Sequence, residues 1–85
     1  MAMSYNDVKR RVLTKLNKQE LGSGRRADDV EARRLIIWFC RQRGMPVQAI
    51  GQLMGINHAT VVYHYKRALE LREIYPQWRQ LTDKL

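Results

Sequence analysis

Apolar residues recur at steps of three and four along most of the chain, with no sustained alternation at steps of two. Tyr5, Val8, Val12 and Leu16, with Leu13 beside them, form one stripe, while Lys9, Arg10, Arg11, Lys15 and Lys18 fall mostly on the other faces. That is the signature of an amphipathic helix. Ser4 can cap it, and Leu21-Gly22-Ser23-Gly24 is expected to end it in a flexible turn. A second helix is predicted to start at Asp28 or Asp29, where carboxylates suit the positive end of the helix dipole. Its run Leu35-Ile36-Ile37-Trp38-Phe39-Cys40 is apolar nearly all round, which marks a central core helix. Arg41 and Arg43 favour its C-terminus and Gly44 stops it. Pro46 suits the first turn of a short third helix over roughly residues 46–54, which Gly55 breaks. Asn57 then caps a fourth helix running from His58 to about Ile74, with Val61, Tyr65, Ala68, Leu69 and Arg72 along one side. Pro76 ends it or allows a last short turn carrying Trp78 and Leu81. With no hairpin dipeptide, internal repeat or low-complexity tail, the expected fold is all-α: a small bundle of four to five helices in one domain spanning residues 1–85.

Charge narrows the range of partners. Sixteen Lys and Arg against eight Asp and Glu give a formal net charge of +8. The natural partner of so basic a small domain is a polyanion, either nucleic acid or an anionic membrane surface. No apolar run approaches the ~20 residues that span a bilayer, and the N-terminus lacks the apolar core of a signal peptide. A soluble, cytoplasmic protein without a membrane partner is the expectation. Cys40, the single cysteine, sits in the apolar run, reads as a small buried hydrophobe and excludes an intrachain disulfide framework. His58 and His64 are six residues apart, which on a helix points them about 120° apart rather than at one metal. No nucleophile–base pair, metal ligand set or paired carboxylates are visible, so neither an enzyme nor a cofactor is expected.

The stretch from Pro46 to Arg67, PVQAIGQLMGINHATVVYHYKR, carries the most specific signal. A helix-turn-helix needs a small residue where its helices cross, a glycine in the turn, and apolar anchors on both sides. Gly51 is the small residue, Gly55 the turn, and Ile50, Met54, Ile56 and Val61 the anchors. The second helix opens with Asn57-His58-Ala59-Thr60 and carries Lys66-Arg67 further along, as a base-reading tip and a phosphate-binding flank do. Asn57 can serve as a cap alone or as a cap that also touches a base; Tyr63 can face DNA or cover the core edge.

The string AIGQLMGINHATVVYHYKRA resembles the C-terminal DNA-binding domain of the bacterial replication initiator DnaA, a Trp-repressor-like helix-turn-helix. Ile50-Gly51 match the opening of that family's IG-x-x-F-G-x-DHTTV pattern. Gly55 matches the turn, His58, Thr60 and Val61 the signature, and Lys66-Arg67 the basic pair that follows. Upstream, Ala32-Arg33-Arg34-Leu35-Ile36 is similar to the family's AR-x-IA segment, and Arg25-Arg26 lie where it has a basic loop. The similarity covers roughly residues 20–72. It implies duplex DNA as partner, His58 and Thr60 at base edges in the major groove, and Arg25 or Arg26 in the adjacent minor groove. Asn57 and Ala59 belong to the same tip, where short side chains approach base edges. Lys66, Arg67, Lys9, Arg33, Arg34 and Gln48 are candidates for backbone phosphate contacts, which fix register. Several positions depart from the pattern. Asn57 replaces an acidic residue, Ala59 a Thr and Ile56 an Arg; Asp28 adds a negative charge beside the basic loop, and the turn is one residue shorter. The docking mode can survive these changes while the target sequence differs. The chain also lacks the G-x-x-x-x-G-K-[ST] loop of DnaA's ATPase.

Two function classes compete with the enzyme reading set aside above. One is a sequence-specific DNA-binding regulator of transcription or replication, nucleoid-associated, with a phage or mobile element as a candidate source, docking as one domain per site or as a dimer. The other is a non-catalytic basic adaptor for an acidic protein or RNA, which predicts weak, sequence-blind DNA binding with a steep salt dependence.

Overall fold

A computed structural model of the chain describes residues 4–21 and 26–85. The described residues form five helices and no strand: α1 (Tyr5–Lys15), α2 (Ala27–Gln42), α3 (Val47–Met54), α4 (His58–Ile74) and α5 (Pro76–Asp83). α2 is the hub on which α1, α3, α4 and α5 all pack, and α4 also packs against α3 and α5. The reason lies in its sequence. Leu35 to Cys40 are six consecutive residues each no more than 5% exposed, so no face of that stretch can be given to water. Val8 and Val12 from α1, Ile50 from α3, and Val61 and Ala68 from α4 close around it. Among the described residues no helix is long and apolar enough to cross a membrane.

The helix starts follow local chemistry. Ser4 and Asp7 form a reciprocal capping box, the Ser4 hydroxyl accepting from the Asp7 N–H at 3.2 Å and the Asp7 carboxylate from the Ser4 N–H at 3.3 Å. α2 begins earlier than predicted, with Arg26 in the cap position and no side-chain cap bond, so Asp28 and Asp29 occupy the first turn instead. Pro46 likewise precedes α3 as its cap residue rather than entering it.

Three helices end in one way. Asn17, Gly44 and Gly55 are the described residues with φ between 58° and 83°. At each, its own N–H and that of the next residue turn back onto the last turn, the latter as Lys18 to Leu13 O, Met45 to Cys40 O and Ile56 to Gly51 O. This is the Schellman pattern, which satisfies carbonyls that the helix leaves open. Gly44 and Gly55 stop their helices as predicted. α1, however, ends well before Leu21, because Asn17 adopts the left-handed conformation that an asparagine tolerates, and the turn expected over Gly22-Ser23-Gly24 lies outside the described residues. Lys18 therefore lies beyond the helix and bridges Asp28 at 2.9 Å and Asp29 at 3.1 Å, tying the end of α1 to the start of α2.

α4 spans the predicted residues and turns most of the predicted side inward, with Val61 and Ala68 buried and Tyr65 and Arg72 partly so. Leu69 is 42% exposed, whereas His64 and Leu71 are buried beside Val61 and Ala68. Past Tyr75 the chain forms a full helix rather than a single turn, with Pro76 at its start. Trp38 of α2 donates to the Thr82 carbonyl of α5 at 3.1 Å and stacks on Tyr65 of α4 at 5.3 Å. This ring thereby fixes α4 and α5 against the core.

Candidate nucleic-acid interface

α3 and α4 are joined by Gly55, Ile56 and Asn57 alone, and their approach depends on Gly51. A Cβ at that position would lie 2.8 Å from the Ile56 carbonyl oxygen and 3.5 Å from the His58 nitrogen. The α3 backbone thus rests directly on the turn and on the first residue of α4. The turn is held further by the Ile56 N–H to Gly51 O bond at 2.9 Å, and by Asn57, whose Oδ1 accepts from the Ala59 N–H at 2.7 Å. Asn57 is therefore a true N-cap, with its amide nitrogen the group left to face outward.

Asn57, His58, Ala59 and Thr60 are all exposed, forming a tip at the N-terminus of α4. Asn57 and His58 line one groove with Gln48 and Gln52 of α3. Gln52 has no place in the sequence-level reading, although its i,i+4 spacing from Gln48 puts it on the same stripe of α3. Further along α4, Lys66 is exposed and Arg67 partly so. Thr60 and Arg67 are seven residues apart, as are Ala59 and Lys66, which places each pair within about 20° around the helix and roughly 10 Å along it. Tyr63, the position left open by sequence, stands between the two pairs with 58% of its surface exposed. Its ring packs edge-on against His64 at 5.5 Å. One outward stripe of α4 therefore runs from small polar groups through an aromatic ring to two cations.

The remaining candidates separate. Lys9 of α1 and Arg33 of α2 line a depression that shares Gly55 and Ile56 with the tip groove, so both flank the turn. Arg34 is partly buried and its Nε–H donates to His64 Nδ1 at 3.3 Å. Burial, followed by the charges of Arg34 and Arg33, pushes the His64 imidazole down from 6.5 to about 4, which keeps it the neutral acceptor this bond requires. Arg67 pairs with Glu70 at 2.9 Å; an exposed pair three residues apart on a helix contributes only about 0.3–0.5 kcal/mol and yields readily to a stronger anion. Arg26 is highly exposed and 3.8 Å from Asp28, while Arg25 lies outside the described residues. Nothing in the described geometry joins Arg26 to the α4 tip. Cys40 is fully buried and its thiol is pushed up to about 11 by burial. Among the described residues no cluster of His, Cys, Asp or Glu could hold a metal. Compared with known proteins, the chain matches no family model, no curated protein and no solved structure.

Proposed function

We propose that the chain is a sequence-specific duplex-DNA-binding protein in which α3 and α4 act as a helix-turn-helix and α4 enters the major groove. The observation that carries this reading is the outward stripe of α4. Four exposed tip residues lie one short helix segment from Lys66 and Arg67, on a chain of formal net charge +8. A helix fits the ~12 Å major groove, and its N-terminal turn brings short side chains to the base edges. His58 and Thr60 are the base readers; the Asn57 amide and the Ala59 methyl add a donor and an apolar contact. Gln48, Lys9, Arg33 and Arg34 join Lys66 and Arg67 against backbone phosphates, and Arg26, with Arg25, serves the neighbouring minor groove. The resemblance to the DnaA DNA-binding domain supports the same docking mode, while Asn57, Ala59 and Ile56 imply a different target. In this reading the protein is a nucleoid-associated regulator of transcription or replication. The 85 residues carry no phosphate-cradling loop, so ATP hydrolysis is no part of it.

Selection of bound duplexes from a random library at roughly 0.15 M salt tests the reading, because screening there suppresses unspecific attraction. A short asymmetric motif is expected, one domain per site; a palindrome would mean a dimer. Absence of enrichment would overturn specific recognition in favour of a basic adaptor. On the selected site, His58→Ala or Thr60→Ala is expected to cost roughly 1–3 kcal/mol and to relax preference at the contacted position. Equal losses on all sequences would remove both residues from base reading. Lys66→Ala or Arg67→Ala is expected to weaken every duplex alike and to flatten the salt slope by about one unit. An unaltered slope would strike either residue from the phosphate contacts.

A further inference from the structure

A second basic surface lies on the other flank of α1. Lys9 and Arg11 are two residues apart and point about 160° apart around the helix. Lys9 faces the depression at the α3–α4 turn, whereas Arg11 lines a groove with Arg10, Thr14, Lys15, Lys84 and Leu85. That groove has a volume of about 620 Å³, four cations around it and no acidic side chain in its lining. Lys15 builds its floor: its ammonium donates to the Leu81 carbonyl at 3.0 Å and to the Lys84 carbonyl, tying α1 to the C-terminal segment. Arg10 meets Asp7 at 3.5 Å with both side chains exposed, a pair too weak to withhold the guanidinium from a phosphate.

We propose that this groove is a second, sequence-blind site for a DNA phosphate backbone, so that one chain can hold two duplex segments; the proposal rests on the DNA-binding reading of α4. Arginine forks beside a threonine hydroxyl are the donors that phosphate oxygens accept from. An open groove ringed by cations concentrates a rigid polyanion. An acidic peptide is the poorer occupant. Tight peptide docking needs a buried apolar or aromatic anchor pocket, and Leu85 is the one hydrophobic residue in the lining.

The test uses the full chain with duplexes just long enough to hold the selected motif, in excess over protein. Native mass spectrometry and a bridging assay read the outcome, the latter pairing a bead-bound duplex with a fluorescent one. Wild type is expected to take a second duplex with no sequence preference. The Arg10→Glu/Arg11→Glu variant is expected to lose the second duplex and bridging while keeping wild-type affinity for the first. The salt slope of the second step alone should fall, by about two units for Arg10→Ala/Arg11→Ala. Thermal melting confirms that both variants fold, as substitutions at exposed positions allow. One duplex per chain for wild type overturns the proposal. So does an equal loss of the first duplex in the reversal variant, which would make the groove part of one interface. Capture of a polyglutamate peptide in preference to the second duplex overturns it in favour of a protein partner. Failure of the α4 reading looks different: no motif is enriched, and His58→Ala/Thr60→Ala binds every duplex as wild type does.

Discussion

Gly51→Val is expected to cost about 3 kcal/mol of folding stability, at the upper end for overpacking, and to remove sequence preference for DNA in whatever fraction still folds. Two effects oppose one another. Within a helix valine is favoured over glycine by a few tenths of a kcal/mol, and α3 gains that much. Against it stands a Cβ 2.8 Å from the Ile56 carbonyl oxygen, a backbone atom that cannot rotate away as a side chain would. The two γ-methyls demand still more room. Relief requires the turn to move, and with it the Asn57 cap and the orientation of His58 and Thr60. Urea denaturation gives the stability and binding to the selected and scrambled duplexes gives the preference. Gly51→Ala sharpens the comparison, since it carries the clash without the γ-methyls and should fall between wild type and valine. A Gly51→Val protein of wild-type stability and preference would mean that α3 and α4 do not rely on this close approach.

The close approach at Gly51 and the stops at Gly44 and Gly55 were legible because glycine advertises what the backbone does there. Asn17 was not, since Lys18, Gln19 and Glu20 are good helix formers and nothing local forbids them from extending α1. The hub was legible in Leu35–Cys40 because a run apolar on every face has nowhere to go but inside. The inner face of α4 was less so. Its outward stripe includes Ala59, Val62 and Tyr63 and its inner face includes His64, so the apolar period is blurred on both sides. The burial of His64 depends on Arg34, thirty residues earlier, and that of Asp29 on Lys18, pairings that only the packed chain creates. Of the candidate interface, Ala59 and Thr60 could be placed on one stripe with Lys66-Arg67 from helical geometry alone. The groove shared by Gln48 and Gln52 with the tip needs the angle at which α3 meets α4, which spacing does not carry.

Between pH 7 and pH 5 the domain is expected to lose about 2 kcal/mol of stability through His64 alone. Its folded value of about 4 lies below the 6.5 of an unfolded histidine. The unfolded chain therefore takes up a proton below about pH 6.5 that the folded chain refuses until about pH 4. The contribution is whole above that window and is lost as pH falls through it, about 3 kcal/mol in all by linkage. The cause is structural: a proton on Nδ1 would face the Arg34 Nε–H that now donates to it, with Arg33 adding a second positive charge in a buried setting. Asp7 and Asp28 do not confuse the window. Asp7, held down by the Ser4 cap, and Asp28, held down by Lys18, both lie below 3.8, so their contributions fade only in stronger acid. Urea midpoints measured across the range should fall steadily from pH 6.5 to 4 in wild type, and the His64→Leu variant should flatten that decline while starting from a different stability. The same decline in His64→Leu would assign the proton to another group. A flat wild-type profile would mean that His64 opens to water at little cost, which would also free Arg34 from its bond to Nδ1.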